Sequence, residues 1–387
     1  MEKDSLQEEL EKHFQWFHRH PETALEEYET TAHIKEALAK IEGVELLELG
    51  LQTGALAKIT GSMEGPVIAL RADIDGLPIK EDSGLPYSSE HLGCMHACGH
   101  DFHTTVLLGV AALLAKRRKD ILGSVILLFQ PAEEAAHGGE KVVDTGLFER
   151  EKIQQIFGLH VREGLPVGTV AIAPGPFSAA VDRFIYEITG SGGHGSAPED
   201  TLDPIPAAAR LVGQLQEIVS RKIPPKEAAV LSVTRFTAGS SWNIIPESAQ
   251  LEGTVRSFNP LIRETILKEM TTRKEALSAE GYQVDFKWIP GCPATNNDAK
   301  LAAFVEEEAK REGFQVIAQH PEMGGEDFSC YQEIVPGAFF HVGVGGEFPA
   351  HNARFTVDPA ALAPAARLLA EIAVKALQRT AQLKYEA

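Results

Sequence analysis

Apolar and polar positions follow one another along this chain in changing textures. The first stretch carries apolar residues at helical spacing, broken at His20-Pro21-Glu22. That spacing predicts amphipathic helices over 1–19 and 22–40, with Pro21 marking the start of the second. Short strands are expected at 44–48 and 55–60. A second texture then repeats an apolar run, a polar cluster and a helix. PVIAL at 66–70 runs into Arg71-Ala72-Asp73-Ile74-Asp75, and a helix at 104–118 follows the histidine-rich segment GCMHACGHDFHTT. SVILLF at 124–129 runs into QPAEE, IQQIFGL at 153–159 ends at His160, and AFFHV at 338–342 precedes the loop holding His351. Uninterrupted apolar runs mark strands buried on both faces, the habit of mostly parallel sheets sandwiched by helices.

Between 179 and 291 the texture changes. VDRFIYEIT at 181–189 alternates weakly, and the loop GSGGHGSAPED follows it. A helix near 204–220, strands near 229–237 and 249–257, a helix near 261–279 and a strand near 282–288 complete a β-α-β-β-α-β order, the ferredoxin-like pattern. The expected fold is therefore α/β: a mostly parallel-sheet domain over 1–178 and 292–387, with a ferredoxin-like α+β domain inserted over 179–291. Helices near 298–312 and from Pro359 to Gln378 return to the first domain.

Composition narrows the partners. The 387 residues are 44% hydrophobic, enough for two cores, and the formal net charge is −19. So acidic a chain repels phosphate backbones and anionic lipid, which argues against nucleic acid and membrane surfaces. The basic run Lys116–Lys119 closes a helix, where cations suit the dipole. The N-terminus is polar and acidic, not a signal peptide, and no apolar run is long enough to span a bilayer. The cysteines at 94, 98, 292 and 330 lack a framework spacing, which suits thiols or metal ligands in the cytoplasm.

The candidate chemistry sits at strand ends. Three successive buried strands end in Asp73-Ile74-Asp75, Glu133-Glu134 and His160, and ligands of open α/β sheets bind beyond the carboxyl ends of the strands. Cys98 and His100 lie two apart around Gly99, which permits a tight bend. A thiolate and an imidazole aimed at one point suit zinc or another borderline metal better than magnesium or calcium. Adjacent carboxylates diverge, so of Glu133 and Glu134 one could bind metal while the other serves as base to an attacking water. Asp73 and Asp75 could be ligands, partners that orient a ligating histidine, or turn residues. Asp101 and His103 could orient ligands, and Asp101 or Thr104 could cap the following helix. His194, among glycines, is either an exposed loop residue or a donor that polarises a carbonyl. Asn243 and Arg256 could bind a substrate carboxylate, for which the guanidinium fork is well shaped.

MHACGHD, QPAEE, GLH, GSGGHGSAPE, NIIP, GTVR, GGEDF and the late HN pair, in that order from about His20 to the C-terminal helix, resemble the M20 metallopeptidase family. Within it they are most similar to the amidohydrolase branch of hippurate hydrolases, N-acyl-amino-acid amidohydrolases and indole-acetyl-amino-acid hydrolases. The resemblance implies a hydrolase with two divalent metal ions per chain, zinc first, with manganese, cobalt or nickel as alternatives. It implies Cys98, His100, Glu134, His160 and His351 as ligands, Cys98 as a bridge between the ions, and Glu133 as general base and acid. His194 would stabilise the tetrahedral intermediate from the inserted lid or dimerisation domain, either of the same chain or of a partner subunit in a homodimer or higher oligomer. Asn243 and Arg256 would touch substrate. The late loop reads Ala350-His351-Asn352-Ala353-Arg354, where a proline commonly stands in place of Ala353, and Cys94 and His96 are further metal-capable groups outside the ligand set.

The expected reaction is metal-assisted cleavage of an N-acyl amino acid, acetyl, benzoyl or similar, to a carboxylic acid and a free amino acid. The alternatives are a dipeptidase, a deacetylase of the N-acetyl-diaminopimelate type, a non-catalytic metal-binding protein or a structural zinc protein. Glu133 argues against a non-catalytic role, and the absence of Cys-x-x-Cys pairs argues against a structural zinc protein.

Overall fold

The uninterrupted apolar runs form the centre of an eight-stranded sheet in the computed structural model, which describes residues 3–135 and 137–386. Met1 and Glu2, part of the first expected helix, lie outside the described residues. The spatial order is Glu45–Leu47, Ala55–Thr60, Leu122–Gln130, Met63–Asp73, Ile153–Arg162, Gly337–Gly343, Thr169–Ile172, Gln315–Ala318. The four central strands, from Leu122–Gln130 to Gly337–Gly343, are mutually parallel. Antiparallel pairing enters only towards the edges, so the sheet is mixed around a parallel core.

Alternation explains why these strands read as continuous apolar runs. Successive side chains of a strand point to opposite faces. Ile68, Leu70, Ala72, Val125, Leu127 and Phe129 enter one core with the helices Lys3–Arg19, His100–Lys116 and Leu362–Glu386. Ala69, Ile126 and Leu128 enter a second core on the other face, with Val142, Leu147, Phe148 and Tyr331. Both faces are covered, so neither can be polar.

The chain divides into two compact units, 1–177 with 296–320 and 327–387, and 178–295 with 321–326. The return to the first unit thus falls at 296, later than the expected 292, and 321–326 groups with the second unit. That second unit is a four-stranded antiparallel sheet in the spatial order Ala229–Ala238, Ser248–Ser257, Ala180–Thr189, Gln283–Pro290. Phe184, Tyr186 and Ile188 pack with the helices Pro204–Lys222 and Pro260–Ala279. Each helix starts with proline behind a side-chain cap, Asp203 accepting from Ile205 N at 2.9 Å and Asn259 from Leu261 N at 3.0 Å. Order and connections are ferredoxin-like.

Some expectations need correction. The second helix runs Tyr28–Ala39 and does not begin at 22. Glu22 instead caps it from a distance, its carboxylate accepting from Glu29 N at 3.1 Å and Thr30 N at 2.8 Å. The intervening segment is held by a bridge between Thr23 and Gly76, which outcompetes the helix start that Pro21 suggested. The helix after the histidine-rich segment starts at His100, behind Gly99, so neither Asp101 nor Thr104 caps it. The final helix starts at Leu362, after a short 3-10 turn at Pro359–Ala361, and extends to Glu386. The strand Thr169–Ile172 and the edge strand Gln315–Ala318 beside it are additions, each only 4 residues long and without a distinctive pattern.

Candidate metal centre

The four parallel strands deliver their polar residues at one end of the sheet. Met63–Asp73 ends in Asp73 and leads to Asp75, Leu122–Gln130 leads to Glu133 and Glu134, Ile153–Arg162 carries His160, and Gly337–Gly343 leads to the loop with His351. The helix His100–Lys116 starts at the same place. Gly99, at φ +81°, makes the bend, and a Cβ there would stand 2.5 Å from Val161 Cγ2. Only glycine satisfies both demands.

Cys98 Sγ lies 3.4 Å from His160 Nε2. His160 Nδ1 donates to the Val161 carbonyl at 2.8 Å, which leaves the Nε2 lone pair facing the thiol. His100 Nδ1 donates to Asp75 Oδ1 at 3.2 Å, while its buried Nε2 has no hydrogen-bond partner and lies 4.0 Å from Glu134 Oε1. His351 Nε2 lies 3.2 Å from the same Glu134 oxygen. Ligand atoms of Cys98, His100 and His160 lie within 4.8 Å of one another, as do those of Cys98, Glu134 and His351, and those of His100, Glu133 and Glu134. Cys98 and Glu134 each join two of these overlapping groups, and so does His100. A soft thiolate, the imidazoles of His100 and His160 with their far nitrogens already anchored, and a carboxylate fit a borderline divalent ion. The orphaned Nε2 of His100 shows that the pocket is incomplete without one.

Electrostatics agree. Burial pushes the Cys98 thiol well above its ordinary range. Burial works against protonation of His100, yet Asp73 and Asp75 outweigh it and raise its pKa well above the usual imidazole value. Burial likewise opposes ionisation of Glu134, but His351 holds its carboxyl below the ordinary range, and Glu134 raises His351 in return.

The surrounding acids fall into place. Asp75 accepts from both His100 Nδ1 and Glu134 N, the latter at 3.0 Å, so it orients two candidate ligands at once. Asp73 accepts from His103 Nδ1 at 2.6 Å, and His103 Nε2 accepts from Val161 N at 2.9 Å. Both nitrogens of His103 are therefore engaged, and burial, the first cause, holds it neutral at a pKa of about 3. Asp101 accepts from His18 Nδ1 at 2.7 Å, one residue from His100. His96 is buried nearby with no hydrogen-bond partner at either ring nitrogen.

Sequence reading missed the support behind Asp73. Arg71, 1% exposed, donates from Nη1 to Asp73 at 2.7 Å, from Nε to Gln130 at 2.8 Å and from Nη2 to Asp327 at 2.8 Å. The signal was present: a charged residue inside an apolar run demands buried partners.

In the second unit, His194 and Asn243 are neighbours. Gly193–His194 pairs with Ile244–Ile245, Gly195 N donates to the Asn243 carbonyl at 2.9 Å, and Ser196 Oγ lies 2.7 Å from His194 Nδ1. Arg256 is not with them. Ser248 pairs with Thr189, beside the His194 loop, whereas Arg256 pairs with Val181 at the other end of the strand. At ~3.3 Å per residue that is roughly 25 Å along the strand.

The sequence profile of peptidase family M20/M25/M40 matches residues 69–375. N-acetylcysteine deacetylase of Bacillus subtilis is 44% identical over 363 residues, 93% of this chain and 95% of that protein. An IAA-amino acid hydrolase of Arabidopsis thaliana is 36% identical over 372 residues, 93% and 84%. A crystal structure from Bacillus subtilis, described as a dinuclear metal binding peptidase from the M20 family, superposes with a TM-score of 0.88 at 40% identity, covering 97% of this chain and 99% of that one.

Proposed function

We propose, from the premise that this chain belongs to peptidase family M20/M25/M40, how its residues divide the work of amide hydrolysis. The chain is a hydrolase of linear amide C–N bonds that acts on N-acyl amino acids with two divalent ions. Cys98, His100, Glu134, His160 and His351 would hold the ions. The observation that carries this is that the five fall into overlapping groups joined through Cys98, His100 and Glu134, with the buried Nε2 of His100 left without a hydrogen-bond partner. The thiolate favours zinc over harder ions, with manganese, cobalt and nickel as competitors.

When bound, the ions supply Lewis acidity and lower the pKa of a water. Glu133 takes the proton of the attacking water and returns it to the leaving amine. Asp75 and Asp73 keep the ligating and neighbouring imidazoles in one tautomer and orientation. His194, fixed by Ser196, donates to the acyl oxygen as charge develops there, and Asn243 beside it faces the substrate. Arg256 would receive a carboxylate from a separate position, and the assembly we propose is a homodimer. The acyl group we assign is acetyl, by likeness to N-acetylcysteine deacetylase, and the compartment we propose is the cytoplasm, which suits four cysteines without a framework spacing.

Glu133→Gln tests the assignment. It keeps both ions by elemental analysis and lowers turnover of N-acetyl amino acids by ~10²–10⁴-fold. Unchanged turnover would refute Glu133 as the base.

A further inference from the structure

The helices Lys3–Arg19 and Tyr28–Ala39 meet through two imidazoles that the hydrolytic site does not use. His13 Nδ1 lies 3.0 Å from His33 Nε2, with the ring planes 77° apart. One ring donates its N–H to the lone pair of the other. Trp16 stacks on His33 at 3.7 Å and 13°, which fixes that ring, and packs His20 on its other contacts at 4.5 Å. Burial is the first cause that lowers both imidazoles, His33 to about 4, so the pair is neutral at pH 7. Glu9 and Glu36 lie one turn from His13 and His33 respectively, and each acts electrostatically on its histidine. A cavity of about 260 Å³ opens beside them, lined by these four residues and, among others, by Leu10 and Leu108.

We propose that His13 and His33 form a separate site for a borderline divalent ion of the zinc class, bridging the two N-terminal helices. Zinc–nitrogen bonds of about 2.0–2.1 Å in a tetrahedral shell place two nitrogens roughly 3.3 Å apart, so the pair needs to open by only a few tenths of an ångström. The donating ring exchanges its proton through solvent for one on its other nitrogen. Both lone pairs then face the ion, and no net proton is released. Glu9 or Glu36, both exposed and long enough to turn inward, completes the shell with water from the cavity. Lys40 is the competing cation: it is tied to Glu36 at 2.8 Å and acts on both histidines, but its exposed stem lets it swing away.

The test is zinc titration of the holoenzyme, read by calorimetry and by elemental analysis after gel filtration. The parent binds one equivalent beyond the catalytic pair. His13→Gln and His33→Gln each lose that equivalent while keeping the catalytic ions and the turnover of an N-acetyl amino acid. Lys40→Ala binds it more tightly. A parent that takes up no zinc beyond the catalytic pair overturns the proposal, and so does an extra equivalent that both glutamine variants retain. Cys98→Ala separates the two readings, because it removes catalytic metal and leaves this equivalent in place.

Discussion

Two buried polar clusters meet at Asp73, and they differ in what they leave unsatisfied. On one side Arg71 donates to Asp73, Gln130 and Asp327, Tyr331 donates to Gln130 at 2.7 Å, and Gly139 N donates to Asp327 at 2.7 Å. On the other side, 3.7 Å from Asp73, the Nε2 of His100 is buried without a hydrogen bond. Burial alone does not separate structure from function here, since Arg71 and His100 are each 1% exposed. Satisfaction does. A buried network with its partners in place is a scaffold, whereas a buried unpartnered nitrogen set among a thiol and carboxylates, as His100 Nε2 is, suits a ligand. Asp73 belongs to both. Burial opposes its ionisation, but Arg71 holds its carboxyl well below the ordinary range, so the scaffold supplies the site with a permanent negative charge.

That contrast breaks most visibly at Cys98. Cys98→Ala removes a side chain common to two of the ligand groups. The variant is expected to lose bound metal and to fall to background turnover while its unfolding midpoint without metal stays near that of the parent. Retained metal, measured by elemental analysis, would remove Cys98 from the ligand set. Arg71→Met should behave in the opposite way. It leaves Asp73 and Asp327 as buried carboxylates without their shared cation, which costs about 3–5 kcal/mol of stability whether or not metal is present. Denaturant unfolding of chelated protein measures that loss, and a midpoint equal to the parent's would show that the network is not the scaffold.

Asp75→Asn sharpens the boundary. It keeps the shape but loses the negative charge that faces His100 Nδ1, and it leaves Glu134 N with a weaker acceptor. A loss of ~10–100-fold in metal affinity is expected, with little change in the stability of the metal-free protein. Competition with a chelator reads the affinity. A stability loss as large as that of Arg71→Met would place Asp75 with the scaffold.

Much of this was legible in the sequence, for a local reason. Apolar runs report two-sided burial directly, so the central strands and the polar residues at their ends could be read from 66–70, 124–129, 153–159 and 338–342. Cys98 and His100 stood out because two ligand types flanked a glycine. What escaped was non-local. Arg71 and Asp327 are 256 positions apart, and no short pattern pairs them. Glu22 competes with a helix start because Gly76 pairs with its neighbour Thr23. Arg256 could be grouped with Asn243 by residue type, but only strand register separates them. The roles of Asp73 and Asp75 were open because orienter and ligand have the same spacing, and only their partners differ.

The smallest effect is expected where the N-terminal helix supports the metal loop. His18 is buried between Asp101 Oδ2 at 2.7 Å and Glu81 Oε1 at 3.2 Å. Burial disfavours its charge, yet Asp101 and then Glu81 outweigh that and raise its pKa to about 9. Burial also opposes ionisation of Glu81, but His18 brings it down to about 2. The signs fix the window. A histidine with a raised folded-state pKa contributes in full below its unfolded value near 6.5 and loses that contribution as pH rises to about 9. A carboxylate with a depressed value contributes above 4.5 and loses that contribution as pH falls to about 2. The cluster therefore stabilises most between about 4.5 and 6.5, by on the order of 2 kcal/mol. His18→Gln keeps the size and a donor but cannot charge, so its unfolding midpoint should sit below the parent's at pH 6 and converge with it towards pH 9. Curves that stay parallel across that range would mean that His18 is neutral in the folded protein, and that Asp101 depends on it for shape alone.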